Sequence, residues 1–506
     1  WPDPDDNASL AHSFEQSVEK YKNKDFIFFE DETWTYSEIN NAANILAHKL
    51  IEDGISHGDK VILFMENRPS YVSTILALNK IGAVGVLINT SLKGEPLIHC
   101  INSSNSKKCI FGAELSGSLE GVLSSINITA KSDIYWVQDL PNDNCPEWAT
   151  DINKILDLSK TDNLSETNNV TAKDIAFYIF TSGTTGVPKA ALFPNVKIVA
   201  SSTNITRGGY RMNSEDCLYN CLPLYHSTGM MLGLCACIHV GASTFIKRKF
   251  SASSFWKEVK KYNTTAFIYV GELCRYLSLQ DPVDEEKDNP ITKMVGNGLR
   301  PDLWDCFRNR FCVDRICEIY GASEGNGFFM NLLNKDQTIG MTNNKIELLE
   351  YDIGENKLKK DIDGNFIRVK ENQPGLALVE IGPNAIFNGY TDKKASEEKI
   401  FRNVFNDGDS WFNTGDILKT MDVGFALGRK HYQFVDRVGD TFRWKSENVS
   451  TNEVAEILNL FNQVNMANVY GVKIPKSEGR AGMVAFNCEL KAVSYTHLTL
   501  PTTYGV

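Results

Sequence analysis

The chain has 506 residues, too many for one small core, so two or more domains or subdomains are expected. With 42% hydrophobic and 23% charged residues it has the balance of an ordinary soluble globular chain. A net charge of −11 excludes nucleic acid as the main partner, because phosphate backbones demand basic stripes, but leaves room for a local basic site. The 12 cysteines are scattered. Cys217/Cys221 and Cys235/Cys237 are the closest pairs, with His226 nearby, but no second pair stands at zinc spacing, so free thiols in a reducing compartment are expected. The Asn-x-Ser/Thr sequons, as at Asn127 and Asn204, read as chance in so Asn-rich a chain.

The first element is a helix within residues 34–50, with Ser37 as N-cap and an apolar face of Ile39, Ala42, Ala43, Leu46 and Leu50. A strand at Val61–Phe64, a helix at 70–81 and a strand at 84–88 follow, the order of a parallel sheet with helical crossovers. Residues 139–173, rich in Asp, Asn, Ser and Thr, read as a surface excursion without function. The alternation then resumes: helix 195–204, strand 217–221, helix 230–238, strand 242–247, helix 255–261, and strands 266–270 and 313–320. The apolar stretch 229–246 is just within reach of a spanning length, but His239 and Gly241 interrupt it, so a buried helix followed by a strand is expected. From about Ile346 short strands and Gly turns predict a β-rich subdomain, and a small second domain begins near Asp436. The fold class is α/β: a large domain of parallel-sheet αβ layers with a β-rich subdomain (1–435), then a small, incomplete α+β domain (436–493). Residues 494–506 lack the rhythm of the preceding strand and read as translated adaptor sequence.

Five clusters carry chemistry. In Tyr178–Lys189 an apolar run empties into Thr181, Ser182, Gly183, Thr184, Thr185 and Gly186 before Lys189. Glycines bare backbone N–H groups, hydroxyls add donors and the lysine adds charge, together a cradle for polyphosphate. It is not the GxxxxGK[ST] loop, because only two residues separate Gly183 from Gly186. Leu222–Gly229 is a polar knot containing Tyr225 and His226 at a strand end, where open α/β sheets bind ligands. In Glu318–Gly325, Tyr320 offers a flat face for a purine and Glu324 a hard oxygen for Mg²⁺. In Trp411–Ile417, Asp416 follows a Gly turn, as a ribose-binding carboxylate does. The fifth is the charged run Phe434–Val454, with Arg437 and Gly439.

In order and spacing these clusters resemble the adenylate-forming superfamily of acyl-CoA synthetases, luciferases and peptide-synthetase adenylation domains. Tyr269–Tyr276, Gly296–Pro301 and Phe434–Val454 look specifically like the fatty acid transport protein and very-long-chain acyl-CoA synthetase branch, and the resemblance runs from about Asp25 to Leu490. It implies that Thr184 and Glu324 hold Mg²⁺, that Tyr320 stacks on adenine beside Gly298, and that Asp416 and Arg437 reach ribose and phosphate. Tyr225 and His226 would face the substrate carboxylate, with Tyr269 and Gly271 beside the acyl pocket. Lys189, Thr181, Ser182, Thr184 and Thr185 would steady the phosphates while a fatty carboxylate attacks ATP. The small domain would then turn about Gly439 so that CoA displaces AMP. The resemblance also implies membrane association through a segment not included here, with the active site facing the cytosol at the endoplasmic reticulum, peroxisome or plasma membrane. Ser446 stands where the family has Gly, at a cost of about 1 kcal/mol if the backbone there needs positive φ. The family's second catalytic lysine follows a Gly-Lys turn, which the chain as written lacks, so weak adenylation by this chain is expected. Two alternatives stay open: a membrane uptake protein with secondary or no ligase activity, and an adenylating enzyme that loads a carrier-protein thiol.

Overall fold

Thr35, rather than Ser37, starts the first long interior helix, Tyr36–Glu52. The Thr35 hydroxyl accepts from the Glu38 N–H at 3.2 Å and the Glu38 carboxylate accepts from the Thr35 N–H at 2.7 Å, a capping box. Trp34 and Thr35 belong to the strand Glu32–Thr35, which delivers Thr35 in the extended conformation that a cap needs. Ile39, Ala43, Leu46 and Leu50 are buried as expected, but Ala42 is half-buried and Asn40 and Asn44 take core positions. Both amides donate to Asn163 Oδ1, at 2.8 and 3.0 Å. Residues 139–173 are therefore more than a surface excursion: they satisfy these buried amides and supply the edge strand Thr150–Asp151.

The computed structural model describes residues 2–182, 188–321, 327–352, 357–382, 385, 387, 393–438, 442–444, 447–459, 461, 464–473 and 480–488. Two large sheets form the αβ layers. One runs Thr150–Asp151, Ile134–Val137, Lys108–Gly112, Lys60–Phe64, Val84–Leu87, Ile175–Ser182, Pro188–Pro194, parallel except for its last pair. Val61, Ile62, Leu63 and Phe64 are all buried, the pattern of a parallel strand covered on both faces. The second sheet runs Phe328–Met330, Arg315–Gly321, Lys293–Asn297, Ala266–Val270, Cys217–Asn220, Ser243–Ile246, Asp25–Phe29, Glu32–Thr35. Its inner pairs are parallel and its two outermost pairs antiparallel. The long apolar stretch folds as a buried helical run, Thr228–Ile238, and the buried strand Ser243–Ile246, broken at Gly241 with φ +69°. Among the described residues no helix is long and apolar enough to cross a membrane.

The β-rich subdomain is an antiparallel sheet ordered Ile346–Leu349, Gly375–Glu380, Ser410–Met421, Ile400–Arg402, with His431–Arg437 also on Ser410–Met421. Beyond it come the hairpin strands Phe442–Trp444 and Glu447–Val449, the helix Thr451–Asn459, and the strand pair Val464–Lys473 and Arg480–Cys488. The described cysteines, from Cys100 to Cys317, are free thiols. Cys217, Cys221, Cys235 and Cys237 are buried, and burial pushes the Cys217 and Cys221 thiols up to about 12.

Candidate active site

Parallel register sets the carboxyl ends of three strands side by side: Val270 pairs with Asn297, and Gly296 with Glu318. Gly271 and Gly298 lie just beyond those ends and Tyr320 near the end of Arg315–Gly321, at the edge where open α/β sheets hold ligands. The first two crowd each other. A Cβ on Gly271 would stand 1.7 Å from the Gly298 carbonyl oxygen, and Gly298 itself has φ +82°. Only glycine satisfies both conditions without moving backbone.

Tyr320, Asp416 and Arg437 meet here from three separate strands. The Tyr320 hydroxyl donates to Asp416 Oδ2 at 2.5 Å. Asp416 lies opposite Arg437 across paired strands, with Arg437 Nε 3.7 Å from its Oδ1. Gly415, at φ +75°, turns the chain into Asp416, whose N–H donates to Thr414 Oγ1 at 3.1 Å. Burial first, and then the neighbouring Asp416 charge, hold the Tyr320 hydroxyl well above its ordinary pKa, so it stays a donor. Its ring lies edge-on to Phe329, centroids 5.3 Å apart.

At the Tyr178–Lys189 cluster, Ile175–Ser182 pairs antiparallel with Pro188–Pro194, and Lys189 lies directly opposite Thr181. Lys189 is half-buried. The His99 ring hydrogen-bonds the Pro188 carbonyl at 3.0 Å, an anchor for the returning strand that sequence reading missed. Thr181 and Ser182 close the first strand. The side chains of those two residues, together with Gly183, Thr184, Thr185, Gly186, Glu324, Gly439 and Ser446, lie outside the described residues.

The Leu222–Gly229 knot is fastened to the other sheet. Asn67, just past the strand Lys60–Phe64, donates to the carbonyls of Leu222 (2.8 Å) and Lys247 (3.1 Å) and accepts from the Leu224 N–H (2.8 Å). That buried amide joins two loops, each beyond the end of a different sheet's strand, and fixes the backbone under Tyr225 and His226. Tyr225 is half-buried, and burial raises its pKa. His226 presents an exposed edge, yet the protein crowded around it disfavours the imidazolium and lowers its pKa. Its Nδ1 accepts from the Thr228 N–H at 3.3 Å, which leaves Nε2 carrying the proton of the neutral ring.

Tyr269, expected beside an acyl pocket, is fully buried, and its hydroxyl donates to Glu318 Oε2 at 2.9 Å. Gly271, expected there too, has the Gly298 carbonyl as its nearest neighbour. Glu318 also accepts from the Leu299 N–H at 2.7 Å, and its burial lifts the carboxyl to about 8. The signal for Glu318 was present in the chain: a carboxylate interrupting an otherwise apolar strand. Among the described residues no group of three or more His, Cys, Asp or Glu gathers to hold a metal.

The model of the AMP-binding enzyme family matches residues 14–364. The chain belongs to the AMP-binding enzyme family. Over 502 residues it is 37% identical to the medium/long-chain-fatty-acid–CoA ligase FadD6 of Mycobacterium tuberculosis, covering 99% of this chain and 81% of that protein. It is 37% identical over 488 residues to long-chain fatty acid transport protein 6 of Mus musculus, covering 94% and 77%. Its fold matches the anthranilate CoA ligase AuaEII in complex with anthranoyl-AMP with a TM-score of 0.78 at 19% identity, over 94% of this chain and 87% of that one. For this AMP-binding enzyme, the layered α/β architecture with a strand-rich subdomain is thus the fold read from the sequence.

Proposed function

We propose that this AMP-binding enzyme activates long- or very-long-chain fatty acids. The fatty carboxylate attacks the α-phosphorus of ATP and pyrophosphate leaves. The CoA thiol then attacks the acyl carbonyl, giving acyl-CoA and AMP. The convergence of Tyr320, Asp416 and Arg437 at the strand ends carries this reading. It gathers a ring, a carboxylate and a cation, the three kinds of group that a base, a ribose and a phosphate call for. The names of the relatives supply the acyl class. Lys189 adds positive charge where charge builds on the phosphates, and transfer of this kind depends mostly on positioning and electrostatics. Neutral His226, with its free Nε2–H, would donate to the substrate carboxylate or the phosphates.

Thr184 and Glu324 would hold Mg²⁺, a pairing of hard oxygens that fits that ion, which would neutralise phosphate charge. The proposed boundary near residue 436 falls at the end of the strand His431–Arg437, the last strand of the β-rich sheet, with the hairpin strands and the helix Thr451–Asn459 beyond it. Fatty acid uptake and membrane association belong to the same proposal and rest on the names of the transport-protein relatives.

Asp416→Ala strips the Tyr320 hydroxyl and Arg437 of a charged partner. It is expected to weaken ATP binding by about 10- to 100-fold, read by titration calorimetry. An unchanged affinity would remove Asp416 from the nucleotide site. Acyl-CoA formation from a fatty acid, Mg·ATP and CoA tests the activity itself. Discharge of the acyl adenylate by a carrier-protein thiol but not by CoA would replace this reading with the carrier-loading one.

A further inference from the structure

Glu318 is buried at the heart of the nucleotide edge, yet no step above uses it. Two residues further along its strand, Arg315–Gly321, stands Tyr320. On the neighbouring strand Gly296 lies opposite Glu318, and Gly298 is the first residue past the end of that strand at Asn297. The Gly298–Leu299 turn is exposed at Gly298 and buried at Leu299, as a wall beside a bound base would be. Three ties hold that turn. Leu299 N–H donates to Glu318 Oε1 at 2.7 Å, the Tyr269 hydroxyl holds Oε2 at 2.9 Å, and Gly271 leaves no slack behind the Gly298 carbonyl.

We propose that Glu318 is a positioning residue for the nucleotide: its carboxyl hooks the Leu299 N–H and so sets the Gly298 turn against the face of Tyr320, shaping the purine slot. This inference rests on the nucleotide-site reading above. A simple structural carboxylate would be served as well by any surface salt bridge, whereas this one is buried and spends both oxygens on the slot wall and its support.

The surroundings make the tie responsive to pH. The titratable groups around Glu318 are Tyr269 on the adjacent strand's neighbour, Cys274 on the helix Gly271–Ser278 and Cys317 on its own strand. Burial holds Tyr269 and Cys274 well above their ordinary values and Cys317 up to about 12, so all three keep their protons at pH 9. Glu318, lifted to about 8, is the member of this cluster that changes charge between pH 7 and pH 9. An ionised carboxylate is the stronger acceptor for Leu299 N–H, so the slot is held more firmly at the higher pH. The stability sign is the opposite. The folded chain keeps a proton on Glu318 that the unfolded chain loses near pH 4.5, so this group's contribution to stability falls from there up to about pH 8 and then levels off.

The test is AMP binding by calorimetry from pH 7 to pH 9 for wild type, Glu318→Gln and Glu318→Ala, with thermal unfolding of each. Glu318→Gln keeps an acceptor for Leu299 and a partner for Tyr269 but cannot ionise. The expected result is wild-type affinity that tightens several-fold toward pH 9, a flat profile for Glu318→Gln that matches wild type at pH 7, and about tenfold weaker binding by Glu318→Ala. If Glu318→Ala fails to fold, the Glu318→Gln profile decides alone. The same pH profile in wild type and Glu318→Gln, or Glu318→Ala binding as well as wild type, would overturn the inference while leaving the nucleotide site intact. A wild type that binds no AMP at any pH would overturn the site reading itself, and this inference with it.

Discussion

Lys189→Ala is expected to cut acyl-adenylate formation by about 10²- to 10³-fold in the intact enzyme, with the fold unchanged. Lys189 leads the strand that returns from the phosphate loop, paired with Thr181, and His99 pins the Pro188 carbonyl beside it. Backbone on both sides thus fixes where its Cβ points, while the long side chain supplies a charge rather than packing. Losing such a charge removes stabilisation where phosphate charge develops and leaves the hydrophobic core untouched. Fatty-acid-dependent AMP release, measured with thermal unfolding of the same variant, checks both halves of this statement. Unchanged turnover would sink the phosphate-loop assignment.

Gly271→Ala is expected to have the largest effect of any single methyl group at the site. The new Cβ would overlap the Gly298 carbonyl, a backbone atom that no rotamer change can move aside. Either the helix starting at Gly271 shifts or the Gly298 turn is pushed out of register with Tyr320. Overpacking of this kind costs about 1–3 kcal/mol, so the variant should melt earlier and lose most of its nucleotide affinity. Gly117→Ala provides the internal control. A Cβ there meets nothing within 4 Å, and the residue sits in a short helix. That substitution should be neutral, or stabilising by about 0.5–1 kcal/mol. Equal melting and binding for Gly271→Ala and Gly117→Ala would show that the Gly271–Gly298 contact does not shape the site.

The αβ layers were legible because their signals are local. Runs such as Val61–Phe64 and Ala266–Tyr269 are buried continuously, and the helices between them show their own period. Gly241 announced the break that separates helix from strand in the longest apolar stretch. The misreadings have two physical causes, one local and one distant. Ser37 and Thr35 both carry a hydroxyl, and the strand before Thr35 made the choice. Asn40 and Asn44 stand outside the apolar face read from the sequence, yet are buried because Asn163, over a hundred residues later, supplies their acceptor. Ala42 lost its core place to them.

Tyr320, Asp416 and Arg437, proposed to hold the nucleotide, were named from separate motifs, and the fold brings them into contact. The residues that support them were harder to see. Asn67 and Glu318 act through backbone groups of other loops, and a hydrogen bond to a backbone N–H or C=O leaves no complementary side chain to find in the sequence. Tyr269 is a different case, its partner being a side chain. Its neighbourhood was read as the acyl side, and its hydroxyl turns inward to Glu318.

The most direct measurement is ATP–pyrophosphate exchange with and without a long-chain fatty acid. It reads the first half-reaction alone and needs no CoA. The account predicts exchange that depends on both the fatty acid and Mg²⁺ and that falls in Asp416→Ala. Exchange that proceeds equally without a fatty acid would contradict the claim that this protein activates fatty acids as adenylates.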